Sequence, residues 1–365
     1  MPQIQIMIVD DSVVVRKALT SVLSSDADLA IMGWASNGRL AVAKLQTLRP
    51  DIILLDIEMP EMNGLETIPE IRKILPHTPI IMFSTLTERG AEATLDALAL
   101  GASDYVAKPS NQNMAATADA IHRDLVPKIK ALCPFPAGLQ EPAGGATGQI
   151  ARPQRSEVRL HAASLRSSLL KIVAIGVSTG GPDALAKLLP SFPANFPLPV
   201  VIAQHMPPVF TTLLAKRLGA KCALPVREAQ AGDLLRPSCI WIAPGDYHMV
   251  VQEERQMRIA THQGPRENFC RPSVDVLFRS VAARYGASAL GLVLTGMGQD
   301  GLKGCEALCA AGASVIVQDE ASSVVWGMPG FVARSGFAEK ILPLDQICGE
   351  IMRRVAGQAV LQPSH

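Results

Sequence analysis

Acidic and hydroxyl side chains fall at the ends of short apolar segments in the first third of the chain. Asp10 and Asp11 follow the first such segment, and Asp56, Ser84 and Lys108 follow or close the third, fourth and fifth. In a parallel sheet these strand ends meet at one edge, where ligands bind. Three carboxylates brought together repel one another and favour a hard cation, and Mg²⁺ fits. Asp56 would then attack a phosphoryl group, while Lys108 and the Ser84 hydroxyl hold the transferred oxygens. A simpler interpretation of Asp11 alone is that it caps the next helix.

A candidate nucleophile lies in the glycine-rich segment IGVSTGG at residues 175–181. This segment follows a buried strand pattern and precedes a helical pattern at 182–189. A tight glycine turn there would expose the Ser178 hydroxyl and aim the N-terminus of the helix at an oxyanion formed beside it. The same kind of turn can instead cradle a phosphate group, and the motif alone does not separate the two interpretations.

Two further residues complete a candidate catalytic triad. His205 ends the apolar segment VVIAQH, which puts it at the same sheet edge as Ser178, where a general base is needed. His248 and His262 are weaker candidates, because a hairpin and a loop are predicted there. Asp300 lies in GLVLTGMGQDG, where it can orient an imidazole. The alternatives are a structural histidine and a solvated turn carboxylate. The chain order differs from that of lipase-like α/β-hydrolases, although the same geometry arises in several orders.

The elements that must position the first group of residues alternate as βαβ units of a parallel sheet. Predicted strands cover residues 4–9, 30–34, 52–55, 80–83 and 105–107, and predicted helices cover 13–23, 39–48, 66–75, 91–100 and 114–132. Residues 1–132 are therefore predicted to form one complete doubly wound α/β domain.

The alternation resumes in the second half of the chain, after a segment rich in proline and glycine. We interpret residues 133–168 as a flexible linker, 169–357 as a second α/β domain and 358–365 as a tail. Predicted strands in the second domain cover 170–175, 200–203, 240–243, 290–294 and 314–317. Gly245 and Asp246 predict a β-hairpin turn, inserted in an otherwise mainly parallel, Rossmann-like sheet.

Charge and hydropathy exclude several classes of function. Lys and Arg number 34 against 33 Asp and Glu, so the net charge of +1 offers no bulk field for nucleic acid or an anionic membrane. The apolar segments are too short to span a bilayer, and the start of the chain does not resemble a signal peptide. The seven cysteines lack the paired spacing of a zinc site. We expect a cytoplasmic protein without nucleic-acid binding or membrane insertion.

Four motifs of the first domain resemble the response-regulator receiver family. They are VDDS at 9–12, LLDIEMPEMNG at 54–64, FST at 83–85 and YVAKP at 105–109. The resemblance implies a flavodoxin-like fold, phosphorylation of Asp56 by a chemotaxis histidine kinase, and coupling of phosphorylation to the surface through Ser84 and Tyr105. It also implies a Mg²⁺ ion bound by Asp10, Asp11, Asp56 and the backbone carbonyl of Glu58.

Six motifs of the second domain resemble the catalytic domain of the chemotaxis protein-glutamate methylesterase family. They are IGVSTGGP at 175–182, AQHMP at 203–207, APGDYHM at 243–249, RPSVDVLFRS at 271–280, TGMGQDG at 295–301 and VWGMPG at 325–330. The resemblance implies that Ser178 is the nucleophile, His205 the base, Asp300 its orienter and the Met297 backbone an oxyanion donor, with no cofactor in this domain. The implied substrates are glutamate γ-methyl esters on the cytoplasmic helices of chemoreceptors, with deamidation of glutamine as a second reaction.

Two other functions compete with this interpretation. One is a binding module that uses the hydrolase fold only for docking, which the three intact triad residues disfavour. The other is a receiver-controlled hydrolase of small-molecule esters. Because the linker is too irregular to act as a rigid rod, we further expect the first domain to inhibit the second by covering its sheet edge until Asp56 is phosphorylated.

Overall fold

The protein is described by a computed structural model that covers residues 3–84, 87–108, 114–133 and 169–359. Apart from its first residue, the predicted linker at 133–168 lies outside the described residues. The predicted tail at 358–365 lies outside them after residue 359.

The first sheet has five parallel strands in the order β2-β1-β3-β4-β5. The strands are β1 (Ile4–Val9), β2 (Leu29–Ala35), β3 (Ile52–Asp56), β4 (Ile80–Ser84) and β5 (Asp104–Ala107). The helices are α1 (Val13–Leu23), α2 (Gly38–Leu45), α3 (Gly64–Ile74), α4 (Glu88–Ala99), α5 (Met114–Asp124) and α6 (Val126–Leu132). Every residue of β3 and β4 is buried, because helices cover both faces of the sheet. The predicted doubly wound α/β fold is confirmed.

The single helix predicted over 114–132 is wrong, because the structure has two helices there. α5 ends at Asp124 and α6 begins at Val126, with Leu125 between them. Pro127 is the second residue of α6. A proline ring has no N–H to donate and clashes with the preceding turn, so it favours the start of a new helix over the interior of a long one.

The second sheet has seven strands in the order β14-β13-β12-β6-β7-β9-β8. They are β6 (Ile172–Val177), β7 (Val200–Gln204), β8 (Val226–Glu228), β9 (Ile240–Ile242), β12 (Ala289–Val293), β13 (Ser314–Gln318) and β14 (Lys340–Leu342), while β10 (His248–Glu253) and β11 (Met257–His262) form a separate pair. β6 has β12 on one side and β7 on the other. The strand order reverses there, so the carboxyl ends of these three strands frame a crevice.

The hairpin predicted at Gly245 and Asp246 is wrong in position. β9 pairs in parallel with β7 and β8, so its hydrogen-bonding groups are already used within the large sheet. β10 pairs antiparallel with β11 instead, which puts the hairpin turn at residues 254–256. Gly245 and Asp246 therefore connect two sheets. His262, predicted to lie in a loop, is the last residue of β11.

The α-helices that accompany the second sheet within residues 169–359 are α7 (Gly181–Leu188), α8 (Phe210–Gly219), α9 (Val274–Tyr285), α10 (Leu302–Ala310), α11 (Met328–Arg334) and α12 (Leu344–Ala359). α12 extends two residues into the predicted tail. Phe192, Phe196, Phe210 and Phe278 are the largest fully buried side chains. No helix within the described ranges is both long enough and apolar enough to cross a membrane.

The two sheets are joined through α4 and β5 of the first, which contact α7 and α8 of the second. Leu95 and Leu98 of α4 belong to the same buried apolar cluster as Leu214 and Leu218 of α8. The first domain therefore packs beside the helix that follows β6, next to the crevice.

Candidate active site and phosphoacceptor pocket

Ser178 lies in the turn between β6 and α7, where glycines allow a backbone path that other residues would block. Gly180 has a φ of 77°, and a Cβ there would lie 2.6 Å from Val324. A Cβ on Gly181 would lie 2.0 Å from the Gln204 side-chain oxygen. The Ser178 amide donates to the Thr295 carbonyl at 3.0 Å, which ties the turn to the loop after β12. The turn holds a half-buried serine at the crevice.

His205 directly follows β7 and contacts Asp300, as the sequence predicts. His205 Nε2 lies 2.7 Å from Asp300 Oδ2. The carboxylate also accepts hydrogen bonds from Ser273 Oγ at 2.8 Å, the Val274 amide at 2.6 Å and Asn268 Nδ2 at 2.9 Å. Burial alone would raise the pKa of Asp300, but His205 and the Val274 amide hold it well below its usual range. Asp300 is therefore a fixed, ionised partner for the imidazole.

The other nitrogen of His205 faces Cys270, a residue that the sequence analysis missed. Cys270 Sγ lies 3.5 Å from His205 Nδ1 and donates to the Asn268 carbonyl at 3.3 Å. Burial lowers the pKa of His205, whereas the Cys270 sulfur and Asp300 raise it to about 10. The one sequence signal for Cys270 is its position next to the motif at 271–280.

Ser178 and His205 are neighbours at the crevice without a hydrogen bond between their side chains in the described structure. Their backbones are adjacent, because the His205 amide donates to the Val177 carbonyl at 3.2 Å. Since Nε2 is held by Asp300, Nδ1 is the atom left to accept a proton. Catalytic hydrogen bonds commonly tighten only when substrate is bound.

Met297 lies in a loop that backbone hydrogen bonds of the preceding residue, Gly296, hold in place. The Gly296 amide donates to the Val325 carbonyl at 3.0 Å, and the Met328 amide donates to the Gly296 carbonyl at 2.8 Å. A Cβ on Gly296 would lie 2.8 Å from the Ser178 Cβ, so this loop touches the turn that carries Ser178. The Met297 amide donates to no other residue in the described part of the chain. It is available to an oxyanion formed beside Ser178.

The acidic residues of the first domain meet in one pocket at the carboxyl edge of its sheet. Lys108 Nζ lies 2.7 Å from Asp56 Oδ2 and 3.1 Å from Asp10 Oδ2. Asp11, Glu58 and Ser84 line the same pocket, whose volume is about 290 Å³. Burial raises the pKa of Asp56 to about 6, against the opposing effect of Lys108. Asp56 is still mostly ionised at neutral pH, as a nucleophilic carboxylate must be.

These carboxylates fit a divalent cation. One oxygen each from Asp10, Asp11 and Asp56 lies within 4.8 Å of the others. Asp10 Oδ2 is buried, and its close contact is the Lys108 ammonium at 3.1 Å, so this oxygen already lies beside one positive charge. An all-oxygen donor set with room for water suits Mg²⁺.

Ser84 and Tyr105 lie between this pocket and the second domain. Ser84 is buried, and its hydroxyl donates to the Gly90 carbonyl of α4 at 3.3 Å. The Tyr105 ring stacks on Phe210 of α8, with centroids 4.7 Å apart and planes at 6°. Tyr105 is 8% exposed, and Lys128 Nζ lies 5.2 Å from its ring centroid. Both predicted switch residues touch elements of the interface.

Polar contacts complete the interface, one of them next to the nucleophile. Thr179 Oγ1 donates to Asp104 Oδ2 at 2.7 Å, and Lys128 Nζ lies 2.9 Å from the same oxygen. Arg217 of α8 forms an ion pair with Asp96 of α4. A hydrogen bond thus links Thr179, the residue after Ser178, to Asp104, the residue before Tyr105.

Comparisons with known proteins agree for both halves of the chain. The CheB methylesterase family matches residues 173–351, and the response regulator receiver domain matches residues 6–118. A protein-glutamate methylesterase/protein-glutamine glutaminase of Trichodesmium erythraeum is 51% identical, over 97% of this chain and 100% of that protein. A protein of the same name from a Nocardioides species is 48% identical, over 98% and 97%.

A solved structure extends the agreement to the fold of the second domain. The crystal structure of the Thermotoga maritima CheB methylesterase catalytic domain superposes with a TM-score of 0.50 and 38% sequence identity. It covers 51% of this chain and 99% of that one. Together with the full-length similarity, this shows that the chain belongs to the protein-glutamate methylesterase/protein-glutamine glutaminase family.

Proposed function

We propose that this protein hydrolyses glutamate γ-methyl esters on the cytoplasmic helices of chemoreceptors, and that phosphorylation of Asp56 activates it. The products are glutamate and methanol. The observation that carries the proposal is the 2.7 Å contact between His205 and a buried Asp300, at the same crevice as a serine in a glycine turn. The site of action is the cytoplasm, where the substrate helices lie.

The proposed chemistry is acyl transfer through Ser178. His205 Nδ1 takes the Ser178 proton as the hydroxyl oxygen attacks the ester carbonyl, and Asp300 stabilises the imidazolium that forms. The Met297 amide donates to the oxyanion of the tetrahedral intermediate. His205 then gives the proton to the departing methoxide, and methanol leaves. Water, deprotonated by His205, releases glutamate and restores the serine.

The same residues support deamidation of glutamine as a second reaction. A γ-carboxamide has nearly the shape of the methyl ester and passes through an equivalent oxyanion. Its leaving group is ammonia, so protonation by His205 is required before the C–N bond breaks. We propose that the ester is the faster substrate, because methoxide is the better leaving group.

The receiver half is proposed to accept a phosphoryl group from a chemotaxis histidine kinase at Asp56. A Mg²⁺ ion held by Asp10, Asp11, Asp56 and the Glu58 carbonyl would neutralise charge on the transferred oxygens. Lys108 and the Ser84 hydroxyl would contact the acyl phosphate. The ion pair of Lys108 with Asp56 supports this role, because it holds an ammonium group where the phosphoryl oxygens would arrive.

A methanol-release assay on methylated receptor fragments tests the proposed function. We expect release that rises when a small-molecule phosphodonor and Mg²⁺ are added. Simple alkyl esters serve as the comparison, since a hydrolase of small molecules would favour them. Turnover on simple esters with none on receptor fragments would refute the substrate assignment, and binding to receptor without turnover would refute the enzyme.

A further inference from the structure

Cys270 and His205 present two metal-binding atoms at the spacing of a tetrahedral ion. Tetrahedral Zn²⁺ binds sulfur at about 2.3 Å and imidazole nitrogen at about 2.0–2.1 Å, which separates the two ligand atoms by about 3.5 Å. Cys270 Sγ and His205 Nδ1 are 3.5 Å apart. Thiolate and imidazole are ligands that zinc prefers to hard cations such as Mg²⁺. The pair therefore matches zinc in both distance and donor type.

The opposite side of the imidazole is also arranged as in a metal site. Histidine ligands usually donate their second ring nitrogen to a carboxylate, which fixes the ring and strengthens the metal bond. His205 Nε2 lies 2.7 Å from Asp300 Oδ2, and Asp300 is 2% exposed. Asp300 therefore orients Nδ1 toward Cys270.

The loop that carries Cys270 is fixed to the same carboxylate. Cys270 and Glu267 exchange backbone hydrogen bonds at 2.8 and 3.2 Å, which closes a tight turn. Within this turn, Asn268 Nδ2 donates to Asp300 Oδ1 at 2.9 Å and the Asn268 carbonyl accepts from Cys270 Sγ at 3.3 Å. Arg271 is turned away, because its guanidinium binds Asp246 at 2.8 Å. The sulfur is thus held in place beside His205 Nδ1.

We propose that Cys270 and His205 bind Zn²⁺ and that the bound ion inhibits the hydrolase. Binding forms a Zn–S bond as the thiol proton leaves to solvent, and a Zn–N bond from the Nδ1 lone pair, with water completing the coordination. No electron is transferred. Inhibition follows because the Nδ1 lone pair is the one that must accept the Ser178 proton. The inhibitory role of the ion therefore rests on the proposed function.

Cobalt provides a spectroscopic test that does not depend on turnover. Full-length protein is titrated with Co²⁺ in excess Mg²⁺, which occupies the carboxylate pocket of the first domain. We expect a thiolate-to-cobalt charge-transfer band in the near ultraviolet, which Zn²⁺ abolishes. Cys270→Ser removes the band, whereas Cys222→Ser, at another half-buried free cysteine of the same domain, retains it.

Inhibition is measured by methanol release from the phosphorylated full-length protein, with each variant's rate expressed relative to its own metal-free rate. Zn²⁺ is expected to inhibit the wild type reversibly, with activity restored by a chelator. The inhibitory concentration should rise at least tenfold in Cys270→Ser and stay unchanged in Cys222→Ser.

The outcomes separate the two proposals. A cobalt band that persists in Cys270→Ser, or equal zinc sensitivity in all three proteins, overturns the metal site. A cobalt band that depends on Cys270 in a protein without esterase activity keeps the metal site and overturns the proposed function. A band without inhibition overturns the inhibitory role alone.

Discussion

At the scale of single residues, the buried acid Asp300 fixes the imidazole of His205, whereas the Ser178 hydroxyl is not hydrogen-bonded to that imidazole in the described structure. Asp300 accepts several hydrogen bonds, which hold its carboxylate in place, whereas the Ser178 hydroxyl makes no hydrogen bond to His205 in the described structure. The proposed orienting residue is thus in place before substrate binds. We expect the proposed nucleophile to form its hydrogen bond with His205 only when substrate binds.

Replacement of Ser178 by alanine tests the nucleophile. We expect a loss of esterase turnover of about 10³-fold or more, because the acyl-enzyme can no longer form, with a residual rate from the oxyanion site. Folding should be unaffected, since only a half-buried hydroxyl is removed. The measurement is methanol release, with a serine-directed fluorophosphonate as a label. Labelling of the variant at wild-type levels would contradict the assignment.

Replacement of Asp300 by asparagine should lower both turnover and stability. Turnover is expected to fall by about 10⁴-fold with little change in KM, because the amide favours the wrong imidazole tautomer. The asparagine NH₂ would also face donors such as the Val274 amide, at a cost of about 1–3 kcal/mol in the free energy of unfolding. Steady-state kinetics and thermal unfolding measure the two effects. Asp183→Asn, at a half-exposed acid of α7, is the control and should change neither.

At the scale of elements, the contact of α4 with α8 is the point at which one half of the chain can affect the other. The contact includes a shared apolar cluster and the ion pair of Arg217 with Asp96. Beside it, Tyr105 of β5 stacks on Phe210 of α8. The Thr179–Asp104 hydrogen bond connects the neighbouring elements β5 and the nucleophile turn. A shift of β5 or α4 on phosphorylation would act directly on this contact.

Reversal of the charge on Arg217 should weaken the contact and raise the basal rate. In Arg217→Glu the new carboxylate faces Asp96, and the attraction of an exposed pair, about 1 kcal/mol or less, becomes repulsion. We expect a rise of about 2- to 10-fold in methanol release by the unphosphorylated protein. The double variant Arg217→Glu with Asp96→Arg restores the attraction and should return to the basal rate. If the double variant stays as fast as the single one, the ion pair has no part in inhibition.

At the scale of the whole molecule, one chain contains a regulatory domain and a hydrolase domain. The family comparisons and the fold agree that a receiver is joined to a methylesterase domain. Interfaces of ordinary size between domains, about 600–1,500 Å², are weak enough to be shifted by one modification. Phosphorylation of Asp56 replaces the single negative charge of its carboxylate by the charge of close to two on an acyl phosphate, near β4 and β5. Control through the interface is therefore energetically reasonable.

A fragment that starts near residue 165 should hydrolyse receptor esters without a phosphodonor, and faster than the unphosphorylated full-length protein. The physical reason is removal of α4 and β5 from the edge of the crevice. A change in the closed-to-open ratio from 99:1 to 1:99 needs about 5.5 kcal/mol, so we expect phosphorylation to activate the full chain less than truncation does. The prediction is tested by comparing the initial rates of methanol release by the fragment and by the full-length protein at equal protein concentration.

Full-length Asp56→Asn is the matched control for this prediction. It keeps the interface but lacks the phosphoacceptor, so it should remain at the basal rate after a phosphodonor is added. A fragment no faster than unphosphorylated full-length protein would contradict inhibition by covering. The receiver would then act by recruitment or direct activation.

The sequence by itself determined which residues lie at the carboxyl edges of the two sheets. Ser178, His205 and Asp300 each follow a short apolar segment, and such segments identify buried parallel strands by local pattern alone. Because parallel strands end at a common edge, these residues were predicted to lie along the same edge of the sheet, whereas their meeting required β7 and β12 to flank β6.

Tertiary structure decided what depends on contacts between distant segments. The pairing of β10 with β11 rather than β9 depended on neighbouring strands taking the hydrogen-bonding groups of β9, which no local pattern records. The approach of Cys270 to His205, 65 residues apart, and the bond of Asp104 to Thr179, 75 residues apart, arise from packing across loops and domains. A lone cysteine or threonine carries no periodicity, so its partner emerges only when the chain is folded.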